Sequence, residues 1–223
     1  MKTLFITGGR GDIGHAIIDK FKQQHYQIIA PDSSCLNLDH LNDIEGYSST
    51  LPTIDAFIHC AGINRPQPFI DLDVENMEKT LTINALSFYK IAHSLLNQNK
   101  LNENGHILGI SSIYGEVSRQ GRFAYTAAKY CMNGMIKNLS LELGKKHIKV
   151  NGLAPGFVDT TLTRKNNSLD IIARLENAIP LGRLASTEDI AKAAFFFASE
   201  ENSYINGQII VADGGYLAGG FQE

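Results

Sequence analysis

The chain has 223 residues, of which 43% are hydrophobic and 19% are charged, and its formal net charge is −3. This composition excludes a disordered chain, and the scattered charges form no basic surface of the kind that nucleic acid binding requires. The first apolar stretch is too short for a signal peptide, and no run is long enough for a membrane span, so we expect no membrane partner.

Six apolar runs predict strands, and five stretches with helical spacing predict helices between them. The strands are predicted at residues 2–7, 26–30, 54–59, 106–111, 148–153 and 208–211. The helices are predicted at residues 13–24, 73 to about 99 with Asp73 as N-cap, 123 to about 147, 169–178 and 187–199. Because the strands are apolar throughout and alternate with helices, we expect one doubly wound, Rossmann-type α/β domain over residues 1–223. Its sheet should be parallel and covered by helices on both faces.

The stretch after the second strand is short. Only 22 residues separate Asp32 from Asp55, and they include residues 36–38, which we interpret as a further strand, and a short helix. A full crossover helix would need about a dozen more residues. We therefore expect the helix after the second strand to be missing or reduced.

A glycine-rich turn, TGGRGDIG (Thr7–Gly14), joins the first strand to the first helix, with G-x-G-x-x-G spacing at Gly9, Gly11 and Gly14. Glycines in this context let the backbone approach a pyrophosphate, and the helix N-terminus supplies free amide donors. The turn therefore predicts a dinucleotide site. Its expected contacts are Gly8, Arg10, Gly11, Asp12, Ile13 and Gly14.

The choice between NAD(H) and NADP(H) depends on two charged residues. Asp32 lies just past the second strand, where a carboxylate accepts hydrogen bonds from a ribose diol and repels a 2′-phosphate. Arg10 acts in the opposite sense, since a guanidinium on the turn could pair with that phosphate. The sequence favours NAD(H) and leaves NADP(H) open.

Tyr125 and Lys129 stand four residues apart on a predicted helix, so their side chains share one helix face. An ammonium group beside a phenol lowers the phenol pKa, which suits the tyrosine to general acid or base chemistry. Ser112 ends the fourth apolar run, where its hydroxyl could bind a substrate carbonyl. Together with the dinucleotide site, these residues predict hydride transfer between a nicotinamide and a carbonyl or alcohol carbon.

Seven motifs in order give the chain a resemblance to the short-chain dehydrogenase/reductase family that runs nearly from end to end. They are the glycine turn, Asp55 leading to Ala61-Gly62, Asn84, Ser112, Tyr125-x-x-x-Lys129, Pro155-Gly156 with Thr160, and Asn206-Gly207 before Asp213-Gly214-Gly215. The second half looks most like the 3-oxoacyl-acyl-carrier-protein reductase branch and its sugar, steroid and polyol relatives.

The resemblance implies a role for each matched residue. Tyr125 would donate or accept the proton, Lys129 would bind the nicotinamide ribose and lower the Tyr125 pKa, and Ser112 would orient the carbonyl. Asn84 would organise a water beside Lys129. The further cofactor contacts that it implies are Asn37 and Leu38 on the adenine side, Ala61 and Gly62 beyond the third strand, and Pro155, Gly156, Val158 and Thr160 near the nicotinamide.

The chain departs from the family pattern at two places. Asp12 replaces a glycine that single-domain members usually carry in the turn, and His59-Cys60 replaces two asparagines before Ala61-Gly62. Packing on the adenosine side must therefore differ from that of the family, and we interpret His59 as structural rather than catalytic.

The sequence predicts an NAD(P)-dependent oxidoreductase of a ketone or secondary alcohol, which by resemblance is a 3-oxoacyl-type reductase in the cytoplasm. The three cysteines match no metal or disulfide spacing, which fits a reducing compartment and predicts no bound metal. A sugar or other polar metabolite stays open as substrate, because the expected substrate loop at about 157–180 mixes apolar and polar residues. A non-catalytic sensor or scaffold is disfavoured by the presence of both Tyr125 and Lys129.

The resemblance also implies a homodimer or homotetramer. The apolar residues available for such an interface are Met132, Met135, Ile136, Leu139 and residues 195–197.

Overall fold

The computed structural model describes residues 1–219 and contains one six-stranded parallel sheet with the strand order β2-β1-β3-β4-β5-β6. The strands are β1 (Thr3–Thr7), β2 (Gln27–Ile29), β3 (Ile54–His59), β4 (Leu101–Ile110), β5 (Lys149–Pro155) and β6 (Ile209–Ala212). The helices are α1 (Asp12–Gln23), α2 (Asp43–Thr50), α3 (Val74–Leu81), α4 (Ser87–Asn97), α5 (Phe123–Leu143), α6 (Thr161–Asn166), α7 (Leu169–Ala178) and α8 (Thr187–Phe197). Among these helices none has the length and apolar character needed to cross a membrane.

Helices cover both faces of the sheet, each over its own hydrophobic cluster, as the apolar strands predict. On one face Ile17 and Phe21 of α1 pack with Phe195 of α8, and on the other Phe88 of α4 packs with Ile136 of α5. Fully burying a side chain of this size contributes about 1.5–3 kcal/mol. The two clusters fix α1 and α5 against the sheet, and these helices lead to the glycine turn and to Tyr125.

The segment between β2 and β3 corrects one expectation, because residues 36–38 form no strand. The Asp32 carboxylate accepts from the amides of Ser34 (2.9 Å) and Cys35 (3.2 Å), and the Asp32 carbonyl accepts from the amide of Leu36 (2.9 Å). These bonds turn the chain, and Leu36 is buried in the cluster that contains Ile44 of α2. The sheet therefore ends at β2, and the eight-residue α2 is the one helix between β2 and β3.

The long helix expected from Asp73 is present but is divided by a π turn. The Asp73 carboxylate caps it by accepting from the Asn76 amide (2.6 Å), as predicted. Residues Thr82–Leu86 then form a π-helical turn between α3 and α4. A π turn inserts one residue into a helix and frees a backbone carbonyl. Asn84 lies at the centre of this insertion.

Four of the seven apolar residues expected at an oligomer interface lie in the core, and the other three, Met135, Leu139 and Phe196, are partly buried. Met132 and Ile136 are fully buried in the cluster beneath α5, and Phe195 and Phe197 are buried beneath α8. The exposed large apolar side chains on α4 and α5 are Tyr89, Phe123, Tyr130 and Leu141.

Candidate active site

The carboxyl ends of β1, β3, β4 and β5 lie along one edge of the parallel sheet. That edge carries the glycine turn after β1, Cys60–Gly62 after β3, Ser112 after β4 and Gly156 after β5. Ligands of doubly wound sheets bind beyond the carboxyl ends of the strands. The residues predicted at the ends of these four strands thus lie along one edge of the sheet.

Tyr125 and Lys129 occupy the α5 face beside the crevice at this edge. The Lys129 Nζ lies 5.4 Å from the centre of the Tyr125 ring and donates to the Ile110 carbonyl (2.8 Å) at the end of β4. Lys129 is only 3% exposed, whereas Tyr125 is partly exposed. Tyr125 is therefore the more accessible of the two side chains, beside a buried ammonium group.

Ser112 is the serine that contacts Tyr125. It caps the short turn Ile113–Gly115, where its Oγ accepts from the Tyr114 amide (3.2 Å), and its side chain acts to lower the pKa of Tyr125. The neighbouring Ser111 donates instead to Asn133 Oδ1 (2.7 Å) in the interior. Of the two adjacent serines, Ser112 is therefore the one that acts on Tyr125, while Ser111 is held in the interior.

Burial is the largest influence on the protonation of both Tyr125 and Lys129, and the expected lowering of the Tyr125 pKa by Lys129 stays a prediction. Burial raises the pKa of Tyr125 to about 12, while the Ser112 hydrogen bond and then the Arg122 charge act to lower it. Burial lowers the pKa of Lys129 itself to about 8. At neutral pH the site therefore holds a protonated phenol and a mostly charged ammonium group.

Near Lys129, the side chain of Asn84 has an acceptor oxygen, Oδ1, without a hydrogen-bond donor in the described residues. Its Nδ2 donates to the carbonyls of Thr80 (2.8 Å) and Ile63 (3.0 Å), but its buried Oδ1 accepts no hydrogen bond from residues 1–219. A Cβ at Gly62 would lie 2.5 Å from that oxygen and 3.7 Å from the Lys129 Nζ. Asn84, Gly62 and Lys129 are therefore close neighbours, and the water expected between Asn84 and Lys129 stays a prediction.

His59, which belongs to the second departure from the family pattern, makes a hydrogen bond to the backbone of this π turn. It is fully buried, with Nδ1 2.9 Å from Thr7 Oγ1 and Nε2 3.2 Å from the carbonyl of Ile83. Burial lowers its pKa to about 3, so the ring is neutral at physiological pH. A neutral ring that accepts from Thr7 and donates to Ile83 links β1 to the residue before Asn84.

The glycine turn has backbone contacts that exclude side chains. Gly8 has a φ of +73°, and a Cβ there would lie 2.5 Å from the Ala61 amide nitrogen; a Cβ at Gly14 would lie 2.2 Å from the Gly8 carbonyl oxygen. The turn therefore packs directly against Ala61. α1 begins at Asp12, so its free amides open toward the crevice.

Charged side chains flank the turn. Arg10 pairs with Asp32, whose pKa is held at about 2 mainly by hydrogen bonds from Ser34. Asp12 Oδ2 accepts from the Thr161 amide (2.6 Å) at the start of α6, so the residue that replaces a family glycine ties the turn to the substrate loop. A cavity of about 620 Å³ lies beside the glycine turn. Its lining includes Arg10, Asp12, His15, Asp159, Thr160 and Arg164.

The loop after β5 forms the opposite wall. Gly156 packs against Asp213, where a Cβ would approach within 2.7 Å, and Thr160 caps α6 by accepting from the Thr163 amide (3.1 Å). Val158 is buried and forms a bridge to Ala185. The side chain of Asn37 is used locally to accept from the Asp39 amide, and Leu38 packs into the core, so their expected adenine contacts stay predictions.

The sequence did not single out Arg122, Asn64 or Tyr114, which lie beside Tyr125. Arg122 donates to Asn64 Oδ1 (2.7 Å), and its guanidinium carbon lies 5.8 Å from the centre of the Tyr114 ring. The Tyr114 ring in turn meets the Tyr125 ring edge-on at 6.2 Å. The one feature of the sequence that could have indicated this group is the position of Arg122, three residues before Tyr125 at the start of α5.

Comparison with known proteins adds a family and relatives. A family model described as enoyl-(acyl carrier protein) reductase matches residues 42–217. The chain is 30% identical to the 3-oxoacyl-[acyl-carrier-protein] reductase of Thermotoga maritima over 241 residues, which covers 97% of this chain and 98% of that one. It is 36% identical to the enzyme of the same name from Chlamydia trachomatis over 172 residues, or 77% of this chain and 69% of that one. A short-chain dehydrogenase family protein from Francisella tularensis has a similar structure, with 27% identity, a TM-score of 0.87 and coverage of 98% of this chain and 100% of that one.

Proposed function

The chain belongs to the short-chain dehydrogenase/reductase family of NAD(P)-dependent oxidoreductases, and from this premise we propose that it reduces the 3-oxo group of an acyl thioester. The observation that carries the proposal is the grouping of Tyr125 with the buried Lys129, whose Nζ lies 5.4 Å from the centre of the Tyr125 ring, and with Ser112, which acts to lower the Tyr125 pKa. The substrate class is supported by the relatives of similar length, which are 3-oxoacyl-[acyl-carrier-protein] reductases.

For this reaction a bound nicotinamide would supply the hydride that the carbonyl carbon receives. Tyr125 donates its proton to the carbonyl oxygen, and the Ser112 hydroxyl donates a hydrogen bond to the same oxygen, which stabilises the charge that develops there. The raised pKa of Tyr125 keeps the phenol protonated at neutral pH, as reduction requires. Lys129 and Asn84 lie behind the phenol and would return a proton to it.

The residues around the glycine turn fit a dinucleotide. Contacts at Gly8 and Gly14 leave no room for side chains, and the α1 amides are available for a pyrophosphate. We infer a preference for NAD(H), because the ionised Asp32 suits a ribose diol and engages Arg10, the nearby cation that a 2′-phosphate would need. Lys129 and Thr160 would contact the nicotinamide end.

The oligomer expected from the family is a proposal that rests on α4 and α5. Tyr89, Tyr130 and Leu141 are 48%, 48% and 79% exposed, so these two helices offer apolar surface that a second copy of the chain could cover. We propose that these helices pair in a homodimer or homotetramer. Size-exclusion chromatography with light scattering tests this, and a monomer at micromolar concentration would contradict it.

The test of function is reduction of an acetoacetyl thioester of N-acetylcysteamine with NADH or NADPH, followed by loss of reduced nicotinamide absorbance. We expect Tyr125→Phe to lower kcat at least about a hundredfold, because it removes the acid. NADH affinity, measured by fluorescence, should stay unchanged. Tyr204→Phe is the matched control, since Tyr204 is 95% exposed. Absence of wild-type turnover with either cofactor, or near-normal turnover of Tyr125→Phe, would overturn the proposal.

A further inference from the structure

Arg122 is a partly buried cation beside Tyr125 whose charge is not neutralised by any carboxylate in residues 1–219. It forms none of the ion pairs of the described chain, and its one hydrogen-bond partner there is the neutral Asn64, at 2.7 Å from NH1. A guanidinium keeps its charge at all physiological pH values and offers five N–H donors. Most of its donors are therefore available to a ligand in the crevice.

The position of Arg122 is fixed by the backbone around it. Gly121 precedes it with a φ of +75°, and the Gly121 carbonyl accepts from the Gln67 amide (3.0 Å), which joins the loop after β3 to the start of α5. The Arg122 amide donates to the Arg119 carbonyl (3.1 Å), and its own carbonyl accepts from Thr126 in the first turn of α5. The guanidinium is thus held between two loops that border the substrate side of Tyr125.

Three groups follow one another along this side of the crevice. The guanidinium lies over the face of Tyr114, and the Tyr114 ring contacts the edge of the Tyr125 ring. A substrate carbonyl held by Tyr125 and Ser112 would leave the adjoining part of the substrate next to Tyr114 and Arg122. A cation in that position suits an oxygen acceptor close to the reacting carbon.

We propose that Arg122, oriented by Asn64, binds a second carbonyl or carboxylate oxygen of the substrate, two carbons from the carbon that receives the hydride. This inference rests on the proposed function and adds to it a residue that selects 3-oxo compounds over simple ketones. In a 3-oxoacyl thioester the second oxygen is the thioester carbonyl, and in a free 3-oxo acid it is the carboxylate. Either oxygen accepts the same guanidinium donors.

The test compares three substrates in wild type, Arg122→Gln and the control Arg119→Gln, which removes an exposed arginine from the same loop. The substrates are the acetoacetyl thioester of N-acetylcysteamine, acetoacetate, and 2-pentanone, which lacks the second oxygen. The readout is the ratio of kcat/KM for each 3-oxo compound to that for 2-pentanone. The charge of Arg122 also acts on Tyr125, but this effect is common to all three substrates and cancels in the ratio.

We expect Arg122→Gln to lower the ratio for the preferred 3-oxo compound about ten- to a hundredfold, the loss that follows from removing a charged hydrogen bond of about 1.5–3 kcal/mol. Arg119→Gln should leave every ratio within about twofold, and unchanged NADH affinity shows that the variants are folded. A larger loss for acetoacetate than for the thioester identifies the free acid as the source of the second oxygen. An unchanged ratio in Arg122→Gln overturns the inference and leaves the proposed function intact. If the wild type reduces acetoacetate but does not reduce the acetoacetyl thioester, the proposed function is overturned and the inference stays intact.

Discussion

Replacing Gly62 by alanine is expected to disable the site through Asn84. A Cβ at Gly62 would lie 2.5 Å from Asn84 Oδ1, whereas ordinary contacts begin at about 3.4 Å. The Asn84 amide cannot simply move aside, because Nδ2 is held by the carbonyls of Thr80 and Ile63. Weakening both bonds lowers the free energy of unfolding by about 1–3 kcal/mol. A displacement approaching 1 Å beside the proton donor lowers kcat by about a hundredfold.

Urea unfolding and steady-state kinetics with the acetoacetyl thioester measure the two effects of Gly62→Ala. Gly46→Ala is the matched control, since nothing lies within 4 Å of a Cβ at Gly46 in α2. It should keep kcat and raise stability by up to about 1 kcal/mol. A Gly62→Ala/Asn84→Ala double variant should be no less active than Asn84→Ala alone, because the clash partner is gone. Wild-type kcat in Gly62→Ala, or additive losses in the double variant, would refute the reasoning.

Two further predictions concern pH and cofactor choice. Burial lowers the pKa of His59 to about 3 and of His106 to about 4, below the unfolded value near 6.5, so the unfolded state binds more protons and stability is lost as pH falls from 6.5 toward these values. Urea unfolding at pH 5 should show a loss of about 2 kcal/mol per histidine relative to pH 7.5, and a flat profile would contradict the burial of both rings. Asp32→Asn should shift the NADH/NADPH ratio of kcat/KM toward NADPH by about tenfold or more, since it removes a carboxylate from the ribose site and releases Arg10. An unchanged ratio would show that the Asp32 carboxylate does not interact with the adenosine ribose.

Much of the fold could be predicted because its signals are local. The apolar strands and the N-cap at Asp73 are each determined by a few adjacent residues, and the structure confirms them. The strand predicted at residues 36–38 was wrong. The leucines there are apolar because they are buried beside α2, and the hydrogen bonds of Asp32 turn the backbone before them. β4 begins at Leu101, before its predicted start, and its register shifts against β3 around Asn104, a residue with positive φ that interrupts any alternating pattern.

The site was predictable as far as single side chains carry a motif. Ser112, Tyr125 and Lys129 are brought together, but no pattern in the sequence indicated that the Lys129 ammonium would bond to the Ile110 carbonyl. That contact depends on how deeply α5 packs against β4. The pairing of Arg122 with Asn64 joins residues 58 positions apart, and the π turn around Asn84 exists only in the three-dimensional packing of its helix.

The π turn at Thr82–Leu86 constrains the length of the chain as well as its composition. Deleting one residue there would restore a regular α-helix, the more stable form of an isolated segment. Every side chain on one side of the deletion would then rotate by about 100° about the helix axis relative to the other side. If α3 and Asn84 rotated, Asn84 would lose its position next to Lys129. If α4 rotated instead, its buried face would no longer pack against the sheet. In this region we therefore expect a change in the number of residues to be as damaging as the loss of Asn84 itself.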